Sequence, residues 1–91
     1  MRYELFTYPH CGKCDEIRTL LSEAEIEGQE YDLSSREGTT EIKGVYPKIR
    51  DRVQRDANGI KTPLIILKDN EGKIIGVVQD KEGLIACLSG D

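Results

Sequence analysis

Apolar and polar side chains alternate over residues 3–8, and aromatic and β-branched types are frequent there. A period of two predicts a strand, which Pro9 ends. From residue 11 to about residue 25 the period lengthens. Ile17, Leu20, Leu21 and Ala24 fall at i, i+3, i+4 and i+7, the apolar stripe of an amphipathic helix. Gly28 reads as its stop signal, and residues 29–33 as a short second strand. Residues 34–46 mix Ser, Gly and Thr without a period and read as a loop holding a short helical turn. Pro47 suits the first position of a second helix, where a missing N–H has no intrahelical partner to lose. Ile49 and Val53 give that helix a narrow apolar side, and Asn58-Gly59 its stop.

Pro63 opens Leu64-Ile65-Ile66-Leu67, a continuous apolar run of the kind found in a strand buried on both faces. Asp69-Asn70-Glu71-Gly72 forms a turn and residues 73–78 a fourth strand, so the pair makes a hairpin. Asp80 is a candidate N-cap for a last helix with Leu84, Ile85 and Leu88 turned inward. The order is β-α-β-α-β-β-α. The first two strands, joined through a helix, should run parallel and the hairpin adds an antiparallel edge, which predicts an α/β domain with a four-stranded mixed sheet flanked by helices.

Ninety-one residues make one domain, residues 1–91. Hydrophobic residues at 37% and charged ones at 33% suit a small soluble protein with a thin core. No apolar run approaches the roughly 18 residues that span a bilayer, and no signal-peptide pattern opens the chain. A cytoplasmic monomer, with no membrane, is the expectation. The net charge of −4 argues against a nucleic-acid partner, which requires a concentrated basic face. Lys48, Arg50, Arg52 and Arg55 form a local basic run, but Asp51 and Asp56 interrupt it, so it reads as the solvated side of a helix, with contact to phosphate or an acidic partner as the alternative.

Three cysteines cannot all pair within one chain. Cys11 and Cys14 form a Cys-X-X-Cys, a spacing that signals redox or metal chemistry in a cytosolic protein. Two cysteines at i and i+3 of a helix are close enough to bridge. At the strand–helix junction, Cys11 would sit at or near the N-cap, where unpaired N–H groups and the helix dipole favour a thiolate. Lys13, and His10 when protonated, push the same way. Cys14 lies one turn inward, in line with Ile17 and Leu21, and is expected to be sheltered. An exposed attacker and a buried resolver are what dithiol exchange needs. Two other readings stand beside this one. The pair could be half of a zinc site or share an iron–sulfur cluster between subunits, although no second close Cys/His pair is present and no metal is expected. The fold could also serve as a catalytically idle interaction module. Cys87 reads as a small core hydrophobe. Tyr8 lies either beside the disulfide or packed under the loop.

A proline at the start of a central strand is unusual unless its missing donor is useful. Pro63 would face the cysteine loop. With a cis Thr62–Pro63 bond, the backbone of Thr62 would turn toward the site and pair with an extended substrate.

Tyr8-Pro9-His10-Cys11-Gly12-Lys13-Cys14, then Thr62-Pro63 before an apolar strand, then Gly72-Lys73-Ile74-Ile75-Gly76 resemble the glutaredoxin branch of the thioredoxin superfamily over almost the whole chain. The resemblance implies a thioredoxin-like fold and a thiol–disulfide oxidoreductase with no tightly bound cofactor. It implies that Cys11 attacks, Cys14 resolves, and Thr62 and Pro63 align the substrate. Disulfide-containing proteins, glutathione and glutathionylated proteins are the implied partners. Asp80 would receive the γ-glutamyl amine of glutathione, and Lys61 or Lys13 its glycyl carboxylate; the plainer reading has Asp80 as a cap and both lysines solvated. Lys61-Thr62-Pro63 stands where glutaredoxins usually carry Thr-Val-Pro. Gly76-Val77-Val78-Gln79-Asp80 lacks their Gly-Gly pair, and Gly12-Lys13 replaces the common Pro-Tyr. The electron donor therefore stays open between glutathione and a thioredoxin-reductase-type flavoprotein.

Overall fold

A computed structural model describes residues 1–9, 12–57 and 59–89. The elements are β1 (Arg2–Thr7), α1 (Cys14–Glu23), β2 (Glu27–Asp32), α2 (Arg36–Ile49), a 3₁₀ turn (Arg50–Arg52), β3 (Arg55–Asp56), β4 (Gly59–Ile60), β5 (Leu64–Lys68), β6 (Ile74–Val78) and α3 (Lys81–Leu88). Four strands form one sheet in the order β2-β1-β5-β6, and β3-β4 is a separate small hairpin. β1 runs parallel to β2 and antiparallel to β5, which is antiparallel to β6.

The period of two distributes the core. Leu5, Ile65 and Leu67 point to one face, where they meet Ile17 and Leu21 of α1 and Leu84 of α3. Phe6, Leu64 and Ile66 point to the other, against Ile42, Val45 and Ile49 of α2. A strand covered on both faces cannot alternate apolar with polar residues, hence the unbroken run in β5.

Several expectations require correction. Gly28 does not stop α1. The helix closes with the Ile26 amide donating to the Leu21 carbonyl and the Glu25 amide to that of Ser22, with Glu25 left-handed at φ 57°. Gly28 instead lies within β2, paired with Tyr3, and a Cβ there would collide with the Tyr3 ring at 2.5 Å. The second helix starts eleven residues before Pro47, which sits inside it. Ser35 caps that helix by accepting from the Gly38 amide at 3.0 Å, and Gly38 packs so tightly that a Cβ would come within 2.0 Å of the Asp32 carbonyl oxygen. Gly59, expected to end the helix, belongs to the hairpin; its neighbour Asn58 lies outside the described residues.

The basic run is spread over α2, the 3₁₀ turn and β3 rather than along one helix, though all four side chains are exposed. In α3, Leu84 is fully buried but Ile85 is 43% exposed. The inward positions are Leu84, Cys87 and Leu88, at i, i+3 and i+4. Cys87 is a free thiol packed over Gly76, where an added Cβ would stand 3.4 Å from its sulfur.

Candidate active site

Sheet register brings distant segments together. Phe6 pairs with Leu64 and Ile65 with Val78. Continuing both antiparallel ladders sets Pro63 between Thr7 on one side and Asp80 on the other. The end of β1, the start of β5 and the entry to α3 therefore meet at one end of the sheet, beside the first turn of α1.

That turn begins at Cys14, with Lys13 as N-cap and no side chain capping it. The sequence predicts a helix from Cys11, but Gly12 and Lys13 form a turn before the regular helix; glycine disfavours helical backbone. The amides of Cys14, Asp15 and Glu16 consequently precede the first intrahelical bond, Ile17 N–H to the Lys13 carbonyl at 3.4 Å. Asp15 and Glu16 complement the positive end of the dipole. Cys14 is completely buried, in line with Ile17 and Leu21, and its sulfur is in a disulfide. The roles expected of Cys11 and His10 fall outside the described residues.

The Thr62–Pro63 peptide bond is cis. Pro63 is buried and Thr62 half-buried. Beside them lies a cavity of about 190 Å³ lined by Lys13, Glu16, Ile17, Pro63, Asp80, Lys81 and Glu82. Lys13, Pro63 and Asp80, named from sequence, thus converge with two lysines and three carboxylates in all. Asp80 Oδ1 also caps α3, accepting from the Gly83 amide at 2.6 Å. Lys61 does not line this cavity; its exposed residue contributes backbone contacts instead. Tyr8 is half-buried and its hydroxyl approaches Gly59 closely, since a Cβ on that glycine would lie 3.4 Å from it. Its ring thus reaches toward the β3–β4 hairpin.

Gln79 carries a role that sequence reasoning missed. Its Oε1 accepts from the Gln54 amide at 2.7 Å. Its Nε2 donates to the Gln54 carbonyl at 3.0 Å and to the Lys61 carbonyl at 2.8 Å. The Lys61 amide donates back to the Gln54 carbonyl at 3.1 Å. One side chain thereby ties the base of the hairpin to the residue immediately before Thr62. No periodicity marks it, because its partners are backbone groups set by register. Glu16, Lys81 and Glu82 were also missed; their position in the first turns of α1 and α3 was the available signal.

Among the described residues, no group of three or more His, Cys, Asp or Glu side chains converges as a metal site. No helix among them is long and apolar enough to cross a membrane.

No family profile matches the chain, and no curated protein matches its sequence. A crystal structure of the thioredoxin-like protein BC3987 superimposes with a TM-score of 0.58 at 15% identity, covering 96% of this chain and 99% of that one. The fold is thioredoxin-like.

Proposed function

We propose that the chain is a thiol–disulfide oxidoreductase that reduces protein or glutathione mixed disulfides, with Cys11 attacking and Cys14 resolving. The observation that carries the reading is Cys14, fully buried in a disulfide at the first residue of α1 and next in sequence to Lys13, which lines the cavity with Pro63. In the forward reaction the Cys11 thiolate attacks one sulfur of the substrate disulfide. The second substrate sulfur leaves as a thiolate and takes a proton from solvent. Cys14, once deprotonated, attacks the Cys11 sulfur and expels the remaining substrate thiol. The substrate gains two electrons and the protein ends as a disulfide. Glutathione or a flavoprotein reductase then returns it to the dithiol.

Asp80 and Lys13, which line the same small cavity, offer a carboxylate and an ammonium to a zwitterionic peptide such as glutathione. Thr62 offers backbone groups to an extended one. Cys11→Ser is expected to abolish turnover on a small disulfide, and Cys14→Ser to accumulate a mixed disulfide visible by mass spectrometry. Unchanged turnover in Cys11→Ser, or stoichiometric zinc or an iron–sulfur chromophore in the purified protein, would overturn the reading. NADPH consumption coupled through glutathione and its reductase, compared with thioredoxin reductase, identifies the donor.

A further inference from the structure

Away from the cysteine pair, a second groove of about 320 Å³ runs between the outer side of α2 and the β3–β4 hairpin, lined by Ile42, Lys43, Tyr46, Pro47, Arg55 and Ile60. Its floor and walls are apolar, with Tyr46 and Ile60 only half-buried and Pro47 exposed. The Arg55 guanidinium lies 6.0 Å from the centre of the Tyr46 ring, a cation–π contact that holds the charge over the groove.

Two features indicate what would fill it. The first is charge. The chain carries a net −4, yet the Lys and Arg side chains that line this groove, Lys43 and Arg55, are joined by no Asp or Glu. Neither is ion-paired with a carboxylate among the described residues. The second is the backbone. Pro47 lies inside α2 and has no N–H, so it cannot satisfy the Lys43 carbonyl one turn earlier. The carbonyl of groove-lining Lys43 therefore lacks the i+4 donor that an uninterrupted helix supplies.

We infer that this groove docks an acidic segment, carrying apolar side chains, of the same protein whose disulfide is reduced at the cysteine pair. The identity of that partner rests on the disulfide-exchange reading; the binding does not. Ile60 stands two residues before Thr62, no more than about 7 Å of extended chain. Gln79 fastens Lys61, between them, to Gln54 at the base of the hairpin. Groove wall and substrate-aligning segment therefore form one tethered unit, and a bound segment would be held in register with the sulfurs. Apolar side chains would enter between Tyr46 and Ile60, and carboxylates would meet Lys43 and Arg55.

The test uses labelled, cysteine-free peptides of equal length, one carrying Glu among Leu residues and the other Lys in place of Glu. Both are titrated by fluorescence anisotropy onto the full chain. The Glu peptide is expected to bind at least about tenfold more tightly than the Lys peptide, and K43E/R55E to abolish or reverse that preference. Amide resonances of Ile42, Lys43 and Ile60 should shift on addition of the Glu peptide. Both substituted positions are exposed, so circular dichroism of the variant should match the parent. Equal affinity for the two peptides overturns the inference. So do resonance shifts confined to other surfaces, or sedimentation of the chain as a dimer that blocks the peptide, which would make a second copy the occupant. Because the peptides contain no sulfur, this outcome is independent of the turnover assays on Cys11→Ser.

Discussion

Gln79 acts toward Gln54 as a neighbouring strand would, with its side-chain amide accepting one backbone hydrogen bond and donating the reciprocal one. The same nitrogen reaches Lys61, so the arrangement spans 25 residues of sequence on one side and 18 on the other. Gln79→Ala should cost about 1–3 kcal/mol in urea denaturation, the sum of a few partly exposed hydrogen bonds. Gln79→Glu keeps an acceptor for Gln54 but turns a carboxylate on two carbonyls. It should be at least as damaging at neutral pH and recover on acidification. Hydrogen exchange at the Lys61 amide reports the loosening directly.

Gly38 and Gly44 occupy the same helix and should respond in opposite directions to alanine. A methyl at position 38 meets the Asp32 carbonyl, whereas one at position 44 meets nothing within 4 Å. Gly38→Ala should destabilise by about 1–3 kcal/mol or more through forced backbone displacement. Gly44→Ala should stabilise by about 0.5–1 kcal/mol through reduced chain entropy. Thermal melts of the two single variants decide it.

Glu25 adopts the left-handed conformation that a helix terminus usually assigns to glycine. Glu25→Gly should raise stability by about 0.5–1 kcal/mol, the relief of left-handed strain less the extra flexibility of glycine when unfolded. A lowered melting temperature would contradict this account of the terminus.

Arg18 fastens α1 to β2, donating to both oxygens of Glu30 at 2.7 Å and to Asp15 at 2.6 Å. The hydrogen bonds from Arg18 hold the Glu30 carboxyl below its ordinary value of 4.5. A depressed acid stabilises the fold fully above its unfolded pKa and loses that contribution as pH falls through the folded one. With Arg18 44% and Glu30 38% exposed, solvent screening limits the pair to about 1 kcal/mol or less. The denaturation midpoints of the parent and Glu30→Gln should differ at pH 7 and converge below pH 4.5.

The observed cap role of Asp80 and its proposed contact with substrate can be tested apart. Asparagine caps a helix about as well as aspartate, so Asp80→Asn should leave stability nearly unchanged, while Asp80→Ala should lose about 1 kcal/mol. If the carboxylate receives a substrate ammonium, Asp80→Asn should raise KM for glutathione mixed disulfides with kcat little altered. An unchanged KM would reduce Asp80 to a cap.

The four-stranded sheet and α1 were legible in the sequence because their apolar residues follow periods that burial imposes. Leu5 and Phe6 face opposite layers, and Leu64 to Leu67 fill both. α2 was obscured for a physical reason. Gly38, Thr39, Thr40 and Gly44 have weak helical preference, and the stripe Ile42, Val45 and Ile49 runs straight through Pro47. Packing against the sheet overrides those local preferences. Gly28 read as punctuation, but the Tyr3 ring on the adjoining strand accounts for it. At the site, Lys13, Pro63 and Asp80 could be gathered from motif and order, while Gln79 could not, since its partners appear only once the strands are in register.

Neighbouring positions of β1 and β5 feed separate clusters, one beneath α1 and α3 and the other beneath α2. A volume change in one layer reaches the other through the backbone of the strands they share. Substitutions in the layer beneath α2 can therefore be made while the helix bearing Cys14 keeps its seat.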